Sequence, residues 1–214
     1  MNLSRRAFAT GSLTLGAAVM AGLPAFAQST LTAADRETVG RVSSWFQGVR
    51  AARGNFVETG PGGRRAEGRY FIQRPGKMRF EYSNPEGLLV VADGNNLMRY
   101  DPRLEVFRQA PLSATPLSVF LGRDVRIEEG VRIDRVTRMD SGAFAVVARD
   151  ARRPNEGQVI LAFAGSPVRL MEWTVIDPQG QRTRTQLSSF EAVNSLPNNL
   201  FTLRDPTRRR PGRN

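Results

Sequence analysis

Three acidic residues, Glu81, Asp93 and Asp101, stand close enough in the sequence to form a carboxylate pair. Such pairs carry out general acid–base chemistry in glycoside hydrolysis. Asp93 precedes a glycine and Asp101 precedes a proline, and both dipeptides are typical of turns. We therefore interpret Asp93 and Asp101 as turn formers and Glu81 as a strand residue, and we predict no catalytic residue.

The composition excludes most other catalytic chemistry. The chain of 214 residues has no histidine and no cysteine. It therefore lacks the usual general base near neutral pH, any thiol nucleophile, and zinc ligands with nitrogen or sulfur. A hydrolase with a serine nucleophile would have no histidine partner, and no G-x-S-x-G motif occurs. We expect a protein that is not an enzyme and that needs no cofactor and no metal.

The chain is strongly basic, with a formal net charge of +11 and 31 lysines and arginines, of which only Lys77 is a lysine. A basic protein suits anionic membrane surfaces or acidic partners. The arginines are scattered along the chain, with no interleaved aromatic platform of the kind that binds nucleic acid. We therefore predict no nucleic-acid partner.

The first 27 residues have the features of a cleaved export signal. Arg5-Arg6 precede an apolar stretch from Ala7 to Gly22, and Ala25-Phe26-Ala27 fits a cleavage site that leaves Gln28 as the first mature residue. Ser4 and Phe8 beside the arginine pair also match a twin-arginine signal, so both the general secretory route and the twin-arginine route stay open. Either route ends outside the cytoplasm.

Most of the remaining chain is predicted as strands. A helix over 32–47 is indicated by Thr32, which is followed by Asp35, and by apolar residues on one helical face. A short helix is predicted over 115–122, starting at Thr115 and ending at Gly122. Turn dipeptides separate strands predicted at 50–58, 65–74, 77–83, 87–93, 96–101, 104–109, 131–140, 143–150, 157–164, 167–177, 182–192 and 200–204. We expect one domain over 28–206, followed by a basic, disordered tail over 207–214.

The region from Gly68 to Pro102 resembles the periplasmic lipoprotein carriers of the LolA type. The resemblance rests on motifs in a fixed order with short spacings: Arg74-Pro75-Gly76, Arg79-Phe80-Glu81-Tyr82, Leu88-Leu89-Val90-Val91, and Asp93-Gly94 through Leu97, Tyr100, Asp101 and Pro102. One departure is Met98-Arg99, which stands where these carriers often have tryptophan followed by an aromatic or apolar residue.

The resemblance implies a mainly β fold, an incomplete, unclosed antiparallel β-barrel of about eleven strands with a helical lid. It implies a monomeric periplasmic carrier that binds the acyl chains of lipid-modified proteins. Such a carrier collects them from an inner-membrane lipoprotein-releasing ABC transporter and delivers them to an outer-membrane acceptor. The acceptor of that pathway has the same fold but is anchored through a cysteine, which this chain lacks.

A carrier of acyl chains needs an apolar cavity and a cover that opens. The predicted lipid-binding cavity consists of apolar strand residues, Phe56, Tyr70, Ile72, Met78, Phe80, Leu89, Val91, Leu97, Phe107 and Trp173. The predicted lid residues are Trp45, Phe46, Leu117, Phe120 and Leu121. An apolar residue on a strand is also an ordinary core residue, so each of these assignments has a structural alternative.

Arg74 is the one polar residue to which the resemblance gives a role. It precedes a Pro-Gly turn and matches the arginine that hydrogen-bonds to the lid in LolA-type carriers, where it holds the lid shut. The alternative for Arg74 is a solvated turn residue. For the whole chain, the alternative function is a lipid- or lipopolysaccharide-binding regulatory or sensory module with the same fold.

Overall fold

The computed structural model describes residues 31–121 and 130–208. Its first element is the helix α1, Ala33–Gly48, as the sequence predicts. Thr32 caps this helix, since its hydroxyl accepts from the Asp35 N–H at 3.1 Å while the Asp35 carboxylate accepts from the Thr32 N–H at 3.0 Å. Val39, Val42 and Phe46 form its buried face.

Twelve strands form one antiparallel sheet in the described part of the chain. Their bounds are β1 Ala51–Thr59, β2 Arg65–Gln73, β3 Lys77–Asn84, β4 Leu89–Asp93, β5 Asn96–Asp101, β6 Val106–Pro111, β7 Val131–Arg138, β8 Phe144–Asp150, β9 Gln158–Gly165, β10 Val168–Ile176, β11 Arg182–Leu187 and β12 Glu191–Val193.

The sheet is an open barrel. Its strand order is β6-β5-β4-β3-β2-β1-β11-β10-β9-β8-β7, with the short β12 paired to β1. The chain therefore forms two meanders that meet where β1 pairs with β11. The two edge strands are β6 and β7. This arrangement confirms the predicted mainly β, unclosed barrel, with twelve strands instead of about eleven.

Two tight turns meet at one end of this sheet. Gly76, in the turn between β2 and β3, has a φ of 73°, and a Cβ placed on it would lie 2.7 Å from the Cα of Gly94 in the turn between β4 and β5. Only glycine fits this combination of left-handed backbone and close approach. The Pro75-Gly76 and Asp93-Gly94 signals therefore mark neighbouring turns.

The strand predicted over 182–192 is two strands with a break between them. At the break, the N–H groups of Ser188 and Ser189 both donate to the Asn55 carbonyl, at 2.9 and 3.3 Å. A Cβ on Gly54 would lie 2.1 Å from the Ser189 oxygen, so glycine is required there. The Tyr70 hydroxyl donates to this Ser189 carbonyl at 3.0 Å.

The prediction of a strand over 200–204 is wrong. Asn198–Phe201 is a 3₁₀ helix that contacts β3 and β4, and Phe201 is buried. Lys77 Nζ donates to Asn198 Oδ1 at 2.8 Å and Arg79 Nη1 donates to the Leu200 carbonyl at 3.2 Å, which fixes this turn against the outer face of β3.

The second helix is shorter than predicted. α2 is Ser118–Leu121. The Thr115 hydroxyl does not cap this helix but donates to the Leu112 carbonyl at 2.8 Å. A 3₁₀ turn, Leu112–Ala114, precedes it. Gly122, the predicted end of this helix, lies outside the described residues, as do the predicted signal over 1–27 and residues 209–214 of the predicted tail.

Candidate functional site

Seven of the ten predicted cavity residues lie on the concave face of the sheet. In an antiparallel ladder, directly paired residues point to the same face and alternate residues share it. Tyr70 pairs with Phe80 and Ile72 with Met78, and Met78 in turn pairs with Ala92, which pairs with Leu97. The seven concave residues are Phe56, Tyr70, Ile72, Met78, Phe80, Leu97 and Trp173.

The other three, Leu89, Val91 and Phe107, lie on the opposite, outer face, which corrects their predicted placement. Val91 pairs with Arg79 and Leu89 with Glu81, while Leu89 also pairs with Tyr100, the partner of Phe107. The run from Leu88 to Val91 puts apolar side chains on both faces of β4, since other parts of the protein cover both faces of this strand. The outer side of β4 packs under the 3₁₀ helix that contains Phe201.

An aromatic cluster fills the concave side. The ring of Phe80 lies 4.6 Å from that of Phe56, 6.0 Å from Tyr70 and 5.9 Å from Trp173, measured between centroids. Phe120 of α2 extends the cluster, with its ring 5.5 Å from Trp173. Edge-to-face and offset contacts of this kind add to the gain from apolar burial.

The predicted lid residues cover this concave face from two helices. Trp45 and Phe46 of α1 both contact Phe163 of β9, at 5.6 and 6.2 Å between ring centroids. Phe120 and Leu121 of α2 are buried, and Leu117 is half-buried against the same core. The two helices therefore occupy the positions predicted for a cover over the apolar interior.

Arg74 connects the end of β2 with α1. Its Nη1 donates to the main-chain carbonyl of Phe46, one of the last carbonyls of the helix, and its guanidinium carbon lies 5.1 Å from the centroid of the Phe46 ring. The cation beside a helix C-terminus also suits the helix dipole. The Arg74 N–H donates to the Arg50 carbonyl at 2.8 Å, which fixes the arginine's backbone beside the same helix end.

The same turn also contacts the second helix. The N–H of Gly76 donates to the carbonyl of Leu121, the last residue of α2, at 2.6 Å. Arg74 and Gly76, two residues apart, thus bind the C-terminal ends of both covering helices. One short turn is positioned to link the two parts of the cover.

The described residues line two cavities under the cover. The first has about 30 Å³ of open space beside Arg74, between Trp45, Phe46 and Ile72. The second has about 290 Å³ and lies between the β3–β5 wall and the segment before α2, with Met78, Phe80, Leu97, Leu117 and Trp173 in its lining. Each of these two cavities is smaller than a typical pocket for a drug-sized ligand, which measures about 300–1,000 Å³.

A polar group in the second cavity was missed by the sequence reasoning. Tyr82 donates its hydroxyl to Glu58 Oε2 at 2.9 Å, and Arg99 lines the same cavity. Burial raises the pKa of Glu58, opposed by the Tyr82 hydrogen bond and by the charge of Arg99. A signal was available, since Glu58 stands two residues after Phe56 and Arg99 two after Leu97, which places each on the apolar face of its strand.

The candidate carboxylate pair is not formed. Glu81 lies on the outer face in ion pairs with Arg69 at 2.9 Å and Arg79 at 2.7 Å. Asp93 accepts from the N–H groups of Asn95 and Asn96 at 2.8 Å, as a turn former does. Asp101 ends β5 at the far end of the sheet, where it binds Arg103.

Residues 31–121 and 130–208 contain neither a metal site nor a membrane-spanning helix. This part of the chain holds no group of three or more acidic side chains arranged to bind a metal ion. Its helices are all too short or too polar to cross a membrane.

Fold and site together define a class of protein, an open β-barrel whose apolar interior is covered by helices. The family described as "Outer membrane lipoprotein carrier protein LolA" matches residues 47–204, and the chain belongs to this family. An outer-membrane lipoprotein carrier protein from Methylobacillus flagellatus is 30% identical over 159 residues, 72% of this chain and 73% of the relative. The protein of the same description from Chromobacterium violaceum is 27% identical over 197 residues, 89% of this chain and 91% of the relative.

Among solved structures, the chain is similar to a LolA superfamily protein from Nitrosomonas europaea. The two share 11% sequence identity, with a TM-score of 0.46, and the match covers 78% of this chain and 97% of the other.

Proposed function

We propose that this protein is a periplasmic carrier that shields the acyl chains of lipid-modified proteins from water. The observation that carries the proposal is the covered aromatic interior, with Phe56, Phe80 and Trp173 on the sheet and Phe120 on the cover. Family membership supports it, because relatives such as that of Chromobacterium violaceum are described as outer-membrane lipoprotein carrier proteins.

The sizes of the cavities indicate how such a ligand would enter. Burying apolar surface is worth about 25 cal/mol per Å², so an acyl chain gains much by leaving water. Pockets for drug-sized ligands measure about 300–1,000 Å³. The two cavities here have about 30 and 290 Å³, so a lipid with several chains needs the helices to move away from the sheet.

Arg74 is the residue that we expect to control this movement. Its hydrogen bond to Phe46 favours the covered state, and a hydrogen bond to a charged group contributes about 1.5–3 kcal/mol. Covering the sheet competes with ligand for the same space. Arg74 therefore helps to expel the ligand at the acceptor, and we call its contact with Phe46 the latch.

The proposal extends to the wider pathway that the resemblance to this family implies. Residues 1–27 direct export, the domain over 28–206 carries the ligand, and the carrier works as a monomer. It collects lipid-modified proteins from an inner-membrane lipoprotein-releasing ABC transporter and transfers them to an outer-membrane acceptor. The carrier performs no catalysis, since release needs only displacement of the bound chains.

Displacement of a fluorescent fatty-acid probe tests the function. The probe should bind to the purified protein and should be displaced by a lipid-modified protein, but not by the same protein without its lipid. The recovered probe and lipid should be chemically intact by mass spectrometry. Equal displacement by both forms would contradict the carrier function and favour the alternative, a lipid- or lipopolysaccharide-binding regulatory module.

A further inference from the structure

The larger cavity has a polar end formed by Glu58, Tyr82 and Arg99. Arg99 pairs with Val90, which pairs with Phe80, so Arg99 points to the concave side of the sheet. Its neighbours in the cavity wall are apolar, including Met78, Leu97 and Trp173, which all take part in the core. Arg99 thus lies in a lining that combines this polar end with a wall of apolar side chains.

Tyr82 and Asp101, which flank Arg99, are each held in place by further contacts. The ring of Tyr82 is buried with its centroid 5.0 Å from that of Phe56, and its hydroxyl binds Glu58 at 2.9 Å. On the other side, Arg99 Nη2 lies 3.4 Å from Asp101 Oδ2, and Asp101 is itself held by Arg103. The Arg99 side chain is 44% exposed, so a guanidinium with five N–H donors is oriented but accessible.

The local charges indicate what kind of group would bind here. The cavity lining contains one acidic residue, Glu58, and one basic residue, Arg99, so its formal charges cancel. Asp101 and Arg103 form a second opposite pair beside them, and Arg108 is the exposed cross-strand neighbour of Arg99 on the edge strand β6. Arg99 is thus paired with Asp101 and shares its cavity with Glu58, so an anion at Arg99 would meet two carboxylates, whereas a neutral hydrogen-bond acceptor would not be repelled by them.

We infer that Arg99 recognises the ester carbonyls at the glycerol linkage of the acylated ligand, the point where apolar chains meet a polar backbone. This inference rests on the proposed carrier function and adds specificity to it. The chains would lie along the apolar wall formed by Met78, Leu97 and Trp173, and the carbonyls would accept hydrogen bonds from the guanidinium. Asp101 positions Arg99 through their ion pair and does not contact the ligand itself.

A comparison of two ligands with two proteins tests the inference. The ligands are synthetic diacylglyceryl-cysteine peptides that differ only in having ester-linked or ether-linked chains, because an ether lacks the carbonyl acceptor. The parent should bind the ester form about tenfold more tightly, the equivalent of one hydrogen bond to a charged group. Arg99→Met should bind the two forms equally, and Arg99→Lys should keep part of the preference.

The matched control is Arg169→Met, an exposed arginine of β10 that should keep the full ester preference. Equal binding of both ligands by the parent, or a preserved preference in Arg99→Met, overturns the role of Arg99 and leaves the carrier function standing. Failure of the parent to bind either lipopeptide overturns the carrier function and this inference with it. Melting curves of the variants show whether each one is folded when its affinity is measured.

Discussion

The guanidinium of Arg74 binds the main-chain carbonyl of Phe46 and lies over the ring of the same residue, at 5.1 Å from its centroid. One side chain of the sheet is thereby fixed to the end of α1 in two ways, by hydrogen bonding and by a cation–π contact. Two residues further on, Gly76 binds the end of α2. The turn between β2 and β3 is therefore the place where a substitution should affect the cover without altering the apolar interior.

Arg74→Leu should bind lipid at least as tightly as the parent but transfer it poorly, since the covered state that competes with ligand is weakened. Arg74→Lys should be intermediate, because an ammonium group cannot reproduce the guanidinium fork. The measurements are equilibrium lipid binding and transfer of bound lipoprotein to an acceptor. Arg64→Leu, an exposed residue of the β1–β2 turn, is the control. Parental transfer and affinity in Arg74→Leu would show that the latch does not act in release.

Met78→Glu should weaken lipid binding and lower the free energy of unfolding by several kcal/mol, because an unpaired carboxylate is costly in an apolar site. Met78 is 3% exposed and lines the larger cavity. Met171→Glu makes the same change on an exposed residue of β10 and should alter both quantities little. Probe titration and urea unfolding measure the two effects. Equal losses in the two variants would mean that the position of the charge is unimportant.

The stability of Glu58→Gln relative to the parent should rise with pH. Burial raises the pKa of Glu58 above 4.5 in the folded protein, so the parent loses stability as the pH rises from the unfolded-state pKa through the folded-state pKa. Glutamine does not ionise and avoids this loss. Urea unfolding at about pH 4 and about pH 8 gives the change, since the other groups titrate alike in both proteins.

Tyr82→Phe gives the opposite control for Glu58. The substitution removes the hydrogen bond that lowers the pKa of Glu58, so this pKa should rise further in the folded variant. The free energy of unfolding of Tyr82→Phe should therefore fall more between low and high pH than that of the parent. A difference between Glu58→Gln and the parent that does not change with pH would contradict the burial of this carboxyl.

Deleting residues 207–214 should leave the melting temperature nearly unchanged. Within the described residues, Thr207 binds only its near neighbour Asp205, and both Thr207 and Arg208 are exposed. Deleting 198–214 instead removes buried Phe201, and loss of a buried phenylalanine alone costs about 3–5 kcal/mol. Thermal unfolding of the two truncated proteins should therefore differ strongly. A large loss with the shorter deletion would show that the predicted tail is structural.

The exported protein should begin at Gln28. The motivation is the Ala25-Phe26-Ala27 cleavage site behind a basic and apolar leader. Intact-mass analysis of the periplasmic fraction measures this directly. A mass that retains residues 1–27, in a protein recovered with the membranes, would contradict cleavage.

Local chemistry in the sequence determined the elements and their turns. Thr32 and Asp35 specified the start of α1, and Pro75-Gly76 and Asp93-Gly94 specified neighbouring turns, because capping and left-handed backbone depend on residues close in the chain. The alternation of Met78, Phe80 and Tyr82 fixed which residues share a face. The absence of histidine and cysteine, read from the sequence alone, narrowed the possible chemistry.

The tertiary structure alone decided what covers each face. Leu89 and Val91 follow the same alternation as the cavity residues, yet they lie on the outer face, and Phe201 is brought to that side from more than a hundred residues away. Glu58, Tyr82 and Arg99 come from three strands and meet only through the register of the sheet. Period-two patterns assign residues to one side of a strand, but the side that is buried depends on contacts between segments distant in sequence, and no local rule supplies these.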